Sequence, residues 1–163
     1  MFSSTYSSLH SNWIYDVFLS YRDDVETWDS FIGHLYAALV NAGINVYKND
    51  HDVPGGKDIT WEMLNAIQGS RISLIVFSTK YAASKWCLEQ LVEIMGCPPM
   101  NRRLVIPVFY EVKPSEVREQ TGTFGKAFEG LIERFPLYKS MVSDWSGALS
   151  EAASIPGFRW EGR

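Results

Sequence analysis

The feature that most limits what this chain can fold into is a regular alternation of short β-rich runs with helix-period runs. "WIYDVFLSY" is followed by "TWDSFIGHLYAALVNAG", then by "INVYK", "ITWEMLNAIQGS", "RISLIVFS", "KWCLEQLVEIMG" and "RLVIPVFYEV". Strands that alternate with helices build right-handed βαβ units and therefore a parallel sheet. The runs "SLIVF" and "LVIPVF" are apolar without interruption, the pattern of strands covered by helices on both faces. The alternation predicts a doubly wound α/β fold.

Within that frame, Phe31, Leu35, Ala38 and Leu39 recur at three- and four-residue spacing and predict a first helix with one buried stripe, stopped by Gly43. "KNDHDVPGGKD" concentrates turn formers and predicts a long mobile loop after the second strand. "KPSEVREQTGTFGKAFEGLIERF" opens on Pro-Ser and is interrupted at Thr121-Gly122, which predicts short helices rather than one. A last helix is expected from about Tyr138 to Ala153, with Trp145 and Leu149 on one face and "IPGFRW" ending it. Residues 1–12, rich in Ser, Thr and Asn, read as a flexible leader. With 163 residues and 46% hydrophobic content, one domain with one core is expected.

Charge and cysteine usage narrow the partners. The formal net charge is −4, and no basic block is longer than Arg102-Arg103, so the footprint of a nucleic-acid binder is absent from the sequence. Neither a basic-apolar leader nor an apolar run of spanning length occurs, so no membrane partner is expected and the chain reads as soluble and cytoplasmic, or nuclear. Cys87 and Cys97 lie ten residues apart without a CxxC or a histidine cluster, which predicts free thiols and no metal site.

In a doubly wound sheet, ligands sit outside the carboxyl ends of the strands where the winding reverses. For a strand order 2-1-3-4, that crevice lies between the first and third strands. It is fed by "LSYRDD", by the Pro-Gly loop and by "STKYAASKW". In "WCLEQL", Gln90 shares a helix face with Trp86, whereas Glu89 is rotated by about 100 degrees toward Lys85 and Glu93. A crevice that meets Trp86 therefore meets Gln90. Other nucleotide chemistries fail on specific residues: "GGKD" lacks the upstream Gly and trailing Ser/Thr of a P-loop, no GxGxxG or GxSxG occurs, and Phe77-Ser78 stand where a phospho-acceptor Asp would be needed. Arg22, directly after a buried strand, is a cation suited to a phosphate or a neighbouring carboxylate. Trp86 is read first as a packing anchor and second as a stacking platform, Cys87 as a small buried hydrophobe, and His34 as a solvent-facing or interface residue.

Taken together, "YDVFLSYR", "HLYAAL", "INVYKND", "AIQGSRISLIVFSTKYAASKWCLEQLVEIM" and "LVIPVFYEVKPSEVREQTGTFGKAF" closely resemble the Toll/interleukin-1 receptor (TIR) domain found at the amino terminus of plant nucleotide-binding, leucine-rich-repeat disease-resistance receptors. The resemblance covers residues 13–157 and leaves 158–163 as a tail. It implies a flavodoxin-like fold with a five-stranded parallel sheet, a role in plant innate immunity and signal transduction, and self-association with other TIR domains through helical faces. It also implies cleavage of NAD at the nicotinamide–ribose bond, with NAD as substrate and no resident cofactor or metal. By resemblance, Phe18, Ser20, Tyr21 and Arg22 would line the nucleotide cleft, the Lys48-to-Asp58 loop would gate it, and Trp86 would flank it.

The family's third-helix motif reads W-C-L-x-E-L, and its Glu is the catalytic carboxylate. Here that position is Gln90, and Glu89 fills the variable one. A carboxamide is nearly isosteric with a carboxylate but neutral and non-basic, so the expectation is a retained shape with cleavage impaired or abolished. The loop after the first strand departs too, with Arg22-Asp23-Asp24-Val25-Glu26-Thr27 in place of R-G-E-D-T-R, and the Ser-His pair of the first helix stands as Gly33-His34. The alternative expectation is a non-enzymatic scaffold or decoy that binds partner TIR domains.

Overall fold

The computed structural model describes residues 13–22, 31–48, 59–97 and 103–161. The leader, the acidic turn after the first strand and all of the Pro-Gly loop beyond Lys48 lie outside them. Five strands, β1 (Tyr15–Ser20), β2 (Val46–Lys48), β3 (Ser70–Phe77), β4 (Leu104–Tyr110) and β5 (Phe158–Trp160), form one sheet in the order β2-β1-β3-β4-β5. Every pairing is parallel, with Phe18 opposite both Tyr47 and Ser73, and Phe77 opposite Phe109. The reversal of winding thus falls between β1 and β3, in the strand order on which the expected crevice depends.

The domain edge expected at 157 falls one residue short of the sheet. Phe158 pairs with Val108 and Trp160 with Tyr110, and the Glu111 amide donates to the Trp160 carbonyl at 2.8 Å. "FRW" is legible as a strand only through these partners, since three exposed residues carry no periodicity of their own. Gly157 admits the chain to this edge, because a Cβ there would stand 2.0 Å from the Pro107 carbonyl oxygen.

Helices cover the sheet unequally. On one face α2 (Trp61–Gln68), α3 (Lys85–Gly96), α4 (Pro114–Glu119), α5 (Gly122–Arg134) and α6 (Val142–Ala153) bury Met63, Leu91, Val117, Phe124 and Leu149 against Phe18, Ile75 and Phe77. On the other face a smaller cluster of Leu19, Tyr21, Ile32, Val76, Val108 and Tyr110 receives helical cover from the segment around α1 (Gly33–Asn41). The buried stripe expected on this helix is therefore only half realised: Phe31, Leu35 and Leu39 are half-buried, and Ala38 and His34 are exposed. Gly43, at φ 81°, ends the helix as expected.

Local sequence sets the other boundaries. Thr60 caps α2 by accepting from the Met63 amide, and Ser84 caps α3 by accepting from the Cys87 amide. The break between α4 and α5 comes where Gln120 and Gly122 both take positive φ. The last helix begins later than 138, because Pro136–Met141 forms a 3-10 segment first. Trp145 and Leu149 are buried together on it. Both cysteines are free thiols. Among the described residues, no His, Cys, Asp and Glu group could hold a metal ion, and no helix is long and apolar enough to cross a membrane.

Candidate functional site

Side-chain alternation along β1 divides the expected site residues between two faces. Phe18 and Ser20 point toward α3, and Leu19 and Tyr21 point to the opposite cluster. Phe18 is closed into the core and stacks on Tyr47 of β2, with ring centroids 5.4 Å apart and 12° between planes. The Tyr21 carbonyl faces the α3 side, where it accepts from the Cys87 thiol at 3.4 Å. Arg22, half-buried, continues the chain from there.

Across the crevice, α3 is buried around most of its girth, with Trp86, Cys87, Leu88, Gln90, Leu91 and Ile94 all buried. Its N-terminus follows a 3-10 turn, Tyr81–Ala83, which folds Tyr81 into the core with no exposed surface. The Ser84 cap then fixes the phase of the helix. That phase puts Gln90, also without exposed surface, against the carboxyl end of β1. The Ser20 hydroxyl donates to Gln90 Oε1 at 2.8 Å and lies 2.9 Å from the Tyr81 hydroxyl. Tyr81 in turn donates to the Cys87 carbonyl at 3.2 Å. Gln90 Nε2 is buried without a hydrogen-bond partner among the described residues.

Glu89 has a different environment, as the helical-face argument predicts. It pairs with Lys85 at 3.2 Å, accepts from the Ile59 amide at 3.2 Å, and faces a groove shared with Val92, Glu93, Met141 and Asp144. The two adjacent polar side chains thus serve separate surfaces, one inside the crevice and one in the α3–α6 groove.

Tyr81 is the member that sequence reasoning missed. Its phenol is pushed well above the ordinary tyrosine value, first by burial and then by the charge the adjacent Cys87 would carry, while the bond from Ser20 opposes both. It is a neutral hydroxyl throughout the working pH range. The signal available in "STKYAASKW" is a large aromatic three residues before a Ser cap, and that position alone does not reveal a hydroxyl partner 61 residues away.

The family model of the TIR domain matches residues 14–161. The chain is a TIR domain. The disease resistance protein RPV1 of Vitis rotundifolia is 44% identical to it over 156 residues, covering 96% of this chain and 11% of the relative. The TMV resistance protein N of Nicotiana glutinosa is 42% identical over 151 residues, covering 93% of this chain and 13% of that relative. This TIR domain therefore spans about an eighth of the length of those curated relatives. Among solved structures, the TIR domains of the activated Roq1 resistosome, which directly recognises the pathogen effector XopQ, superpose with a TM-score of 0.76 at 40% identity, covering 89% of this chain and 87% of that one.

Proposed function

We propose that this TIR domain acts in plant-type immune signalling by associating with other TIR domains, and that it derives from an NAD-cleaving design in which Gln90 has removed or much reduced the chemistry. The observation that carries this reading is the placement of Gln90. It is buried and bonded to Ser20 at the carboxyl end of β1, which supports reading it as the counterpart of the Glu in the family motif. The likeness to the TIR domains of a resistosome supports assembly as the mode of action.

A carboxylate here would stabilise the positive charge that develops on the ribose as the bond to nicotinamide breaks. The carboxamide keeps the shape and offers hydrogen bonds, yet supplies neither the charge nor a base. Ser20, Phe18 and Trp86 remain as the orienting wall. Because Gln90 and Phe18 have no exposed surface, contact with a nucleotide requires the surrounding chain to move.

The test is nicotinamide release from NAD under conditions that favour assembly. The parent chain should match the buffer control, and Gln90→Glu should cleave, with a contrast of about a hundred- to a thousand-fold. Cleavage by the parent would remove Gln90 from its assigned role. If Gln90→Glu stays inert and NAD fails to raise the melting temperature of either protein, the scaffold or decoy reading replaces this one. Association itself is read by sedimentation: a monomer when dilute, with weak concentration-dependent growth, is expected, and a tight nanomolar dimer would contradict it.

A further inference from the structure

Three close contacts link four groups in the crevice: Gln90 to Ser20, Ser20 to Tyr81, and Tyr81 to the Cys87 carbonyl. Each hydroxyl carries one proton and the carbonyl carries none. When Gln90 presents its oxygen to Ser20, two protons must serve three contacts, so one contact lacks a proton. In the same arrangement Gln90 Nε2 is buried with both protons unused. A half-turn of the carboxamide supplies the missing proton and gives one of the two Nε2 protons an acceptor. Nε2 then donates to Ser20, Ser20 donates to Tyr81, and Tyr81 donates to the Cys87 carbonyl. One N–H and an acceptor oxygen are then left over in place of two N–H groups, and proteins tolerate an unpaired buried oxygen more readily than a buried N–H.

A carboxylate at position 90 cannot complete that chain, because it has no proton to give. Ser20 must then donate to it, and Tyr81 must turn from the Cys87 carbonyl to Ser20. We propose that Ser20 and Tyr81 are positioning residues for side chain 90, joined in a hydrogen-bonded chain whose direction is set by whether that side chain is an amide or a carboxylate. In the amide form the chain runs outward to the backbone of α3 and locks the carboxamide. In the carboxylate form it runs inward, and two successive donors fix one carboxylate oxygen while leaving the other for a ligand. The catalytic meaning of the second form rests on the function proposed above. The chain itself does not.

Nuclear magnetic resonance tests it without any activity measurement. In the parent protein, the Gln90 side-chain amide protons should show cross-relaxation to the Ser20 β-protons, as Nε2 on Ser20 requires. Their absence, with the amide protons assigned, would overturn the proposal. With tyrosine labelled at Cζ, Gln90→Glu at pH 8 should move the Tyr81 resonance, since its hydroxyl changes partner. Gln90→Leu should leave it near the parent position, because Ser20 can still donate to Tyr81. Equal shifts in both variants, or none in Gln90→Glu, would refute a direction set by residue 90. A Gln90→Glu protein that shows the expected shift and still fails to cleave NAD would remove the enzymatic reading while supporting the chain.

Discussion

Gln90→Glu is also a measurement of what the crevice costs a charge. The two side chains are nearly isosteric, so the change in stability isolates ionisation from packing. In the fold, the site is without solvent exposure and offers one hydroxyl bond from Ser20, which does not replace the hydration a carboxylate loses. The introduced carboxyl should therefore titrate above the ordinary Glu value of about 4.3, and a rise of about two pH units is typical for this degree of burial. Between the unfolded and folded values the native state binds more protons than the unfolded chain, so stability falls as pH rises through that window and levels off above it. At about 1.4 kcal/mol per unit, the loss relative to the parent reaches roughly 2.7 kcal/mol at pH 7 and vanishes near pH 4. For a chain of this size that is a fall of roughly 5–11 °C in melting temperature at neutral pH. Urea unfolding of parent and variant at pH 4, 5, 6, 7 and 8 reads the difference directly. A variant as stable as the parent at pH 7, with no pH dependence of the difference, would refute the dry environment assigned to side chain 90.

Three further outcomes follow from named contacts. The Tyr81 phenol is raised well above its ordinary value near 10 by burial first, so its contribution is complete below about pH 10 and is lost as pH climbs beyond it, by up to about 1.4 kcal/mol per unit; Tyr81→Phe should flatten this alkaline limb in pH-dependent denaturation. Gly157→Ala would drive a Cβ to within 2.0 Å of the Pro107 carbonyl oxygen and should cost about 1–3 kcal/mol, with faster hydrogen exchange at the Glu111 amide that holds β5. Glu89→Ala removes the Lys85 pair and the Ile59 bond at a cost of about 1 kcal/mol, and in the Gln90→Glu background it should leave nicotinamide release nearly unchanged, since Glu89 lies in the α3–α6 groove.

Much of the architecture is written in local pattern. Uninterrupted apolar runs at "SLIVF" and "LVIPVF" specify strands covered on both faces, and their alternation with helical periods specifies a parallel sheet, while the reversal of winding between β1 and β3 is read from the strand order. Helical phase separates Gln90 from Glu89 in the sequence alone, because adjacent helical residues are turned by about 100 degrees, which sets Gln90 with Trp86 and Glu89 with Lys85 and Glu93. The same logic locates the caps at Thr60 and Ser84 only in part, since a cap is defined by a backbone amide it meets.

What remained for the tertiary structure to decide concerns groups brought together from distant segments. Tyr81 meets Ser20 across 61 positions, and Ser20 meets Gln90 across 70; neither distance has a periodicity, so neither leaves a trace in sequence. The resemblance counts Tyr21 with Ser20 among the residues lining the cleft; strand alternation sends the Tyr21 side chain to the other face and leaves its carbonyl toward α3. β5 exists as a strand because β4 offers it an edge, and three exposed residues could not announce that alone. Sequence determines which strongly patterned elements form and which face each residue occupies within its own element. Only packing the elements together determines which polar atoms share protons in the crevice, because a hydrogen bond between separate elements depends on their relative position to within a fraction of an ångström.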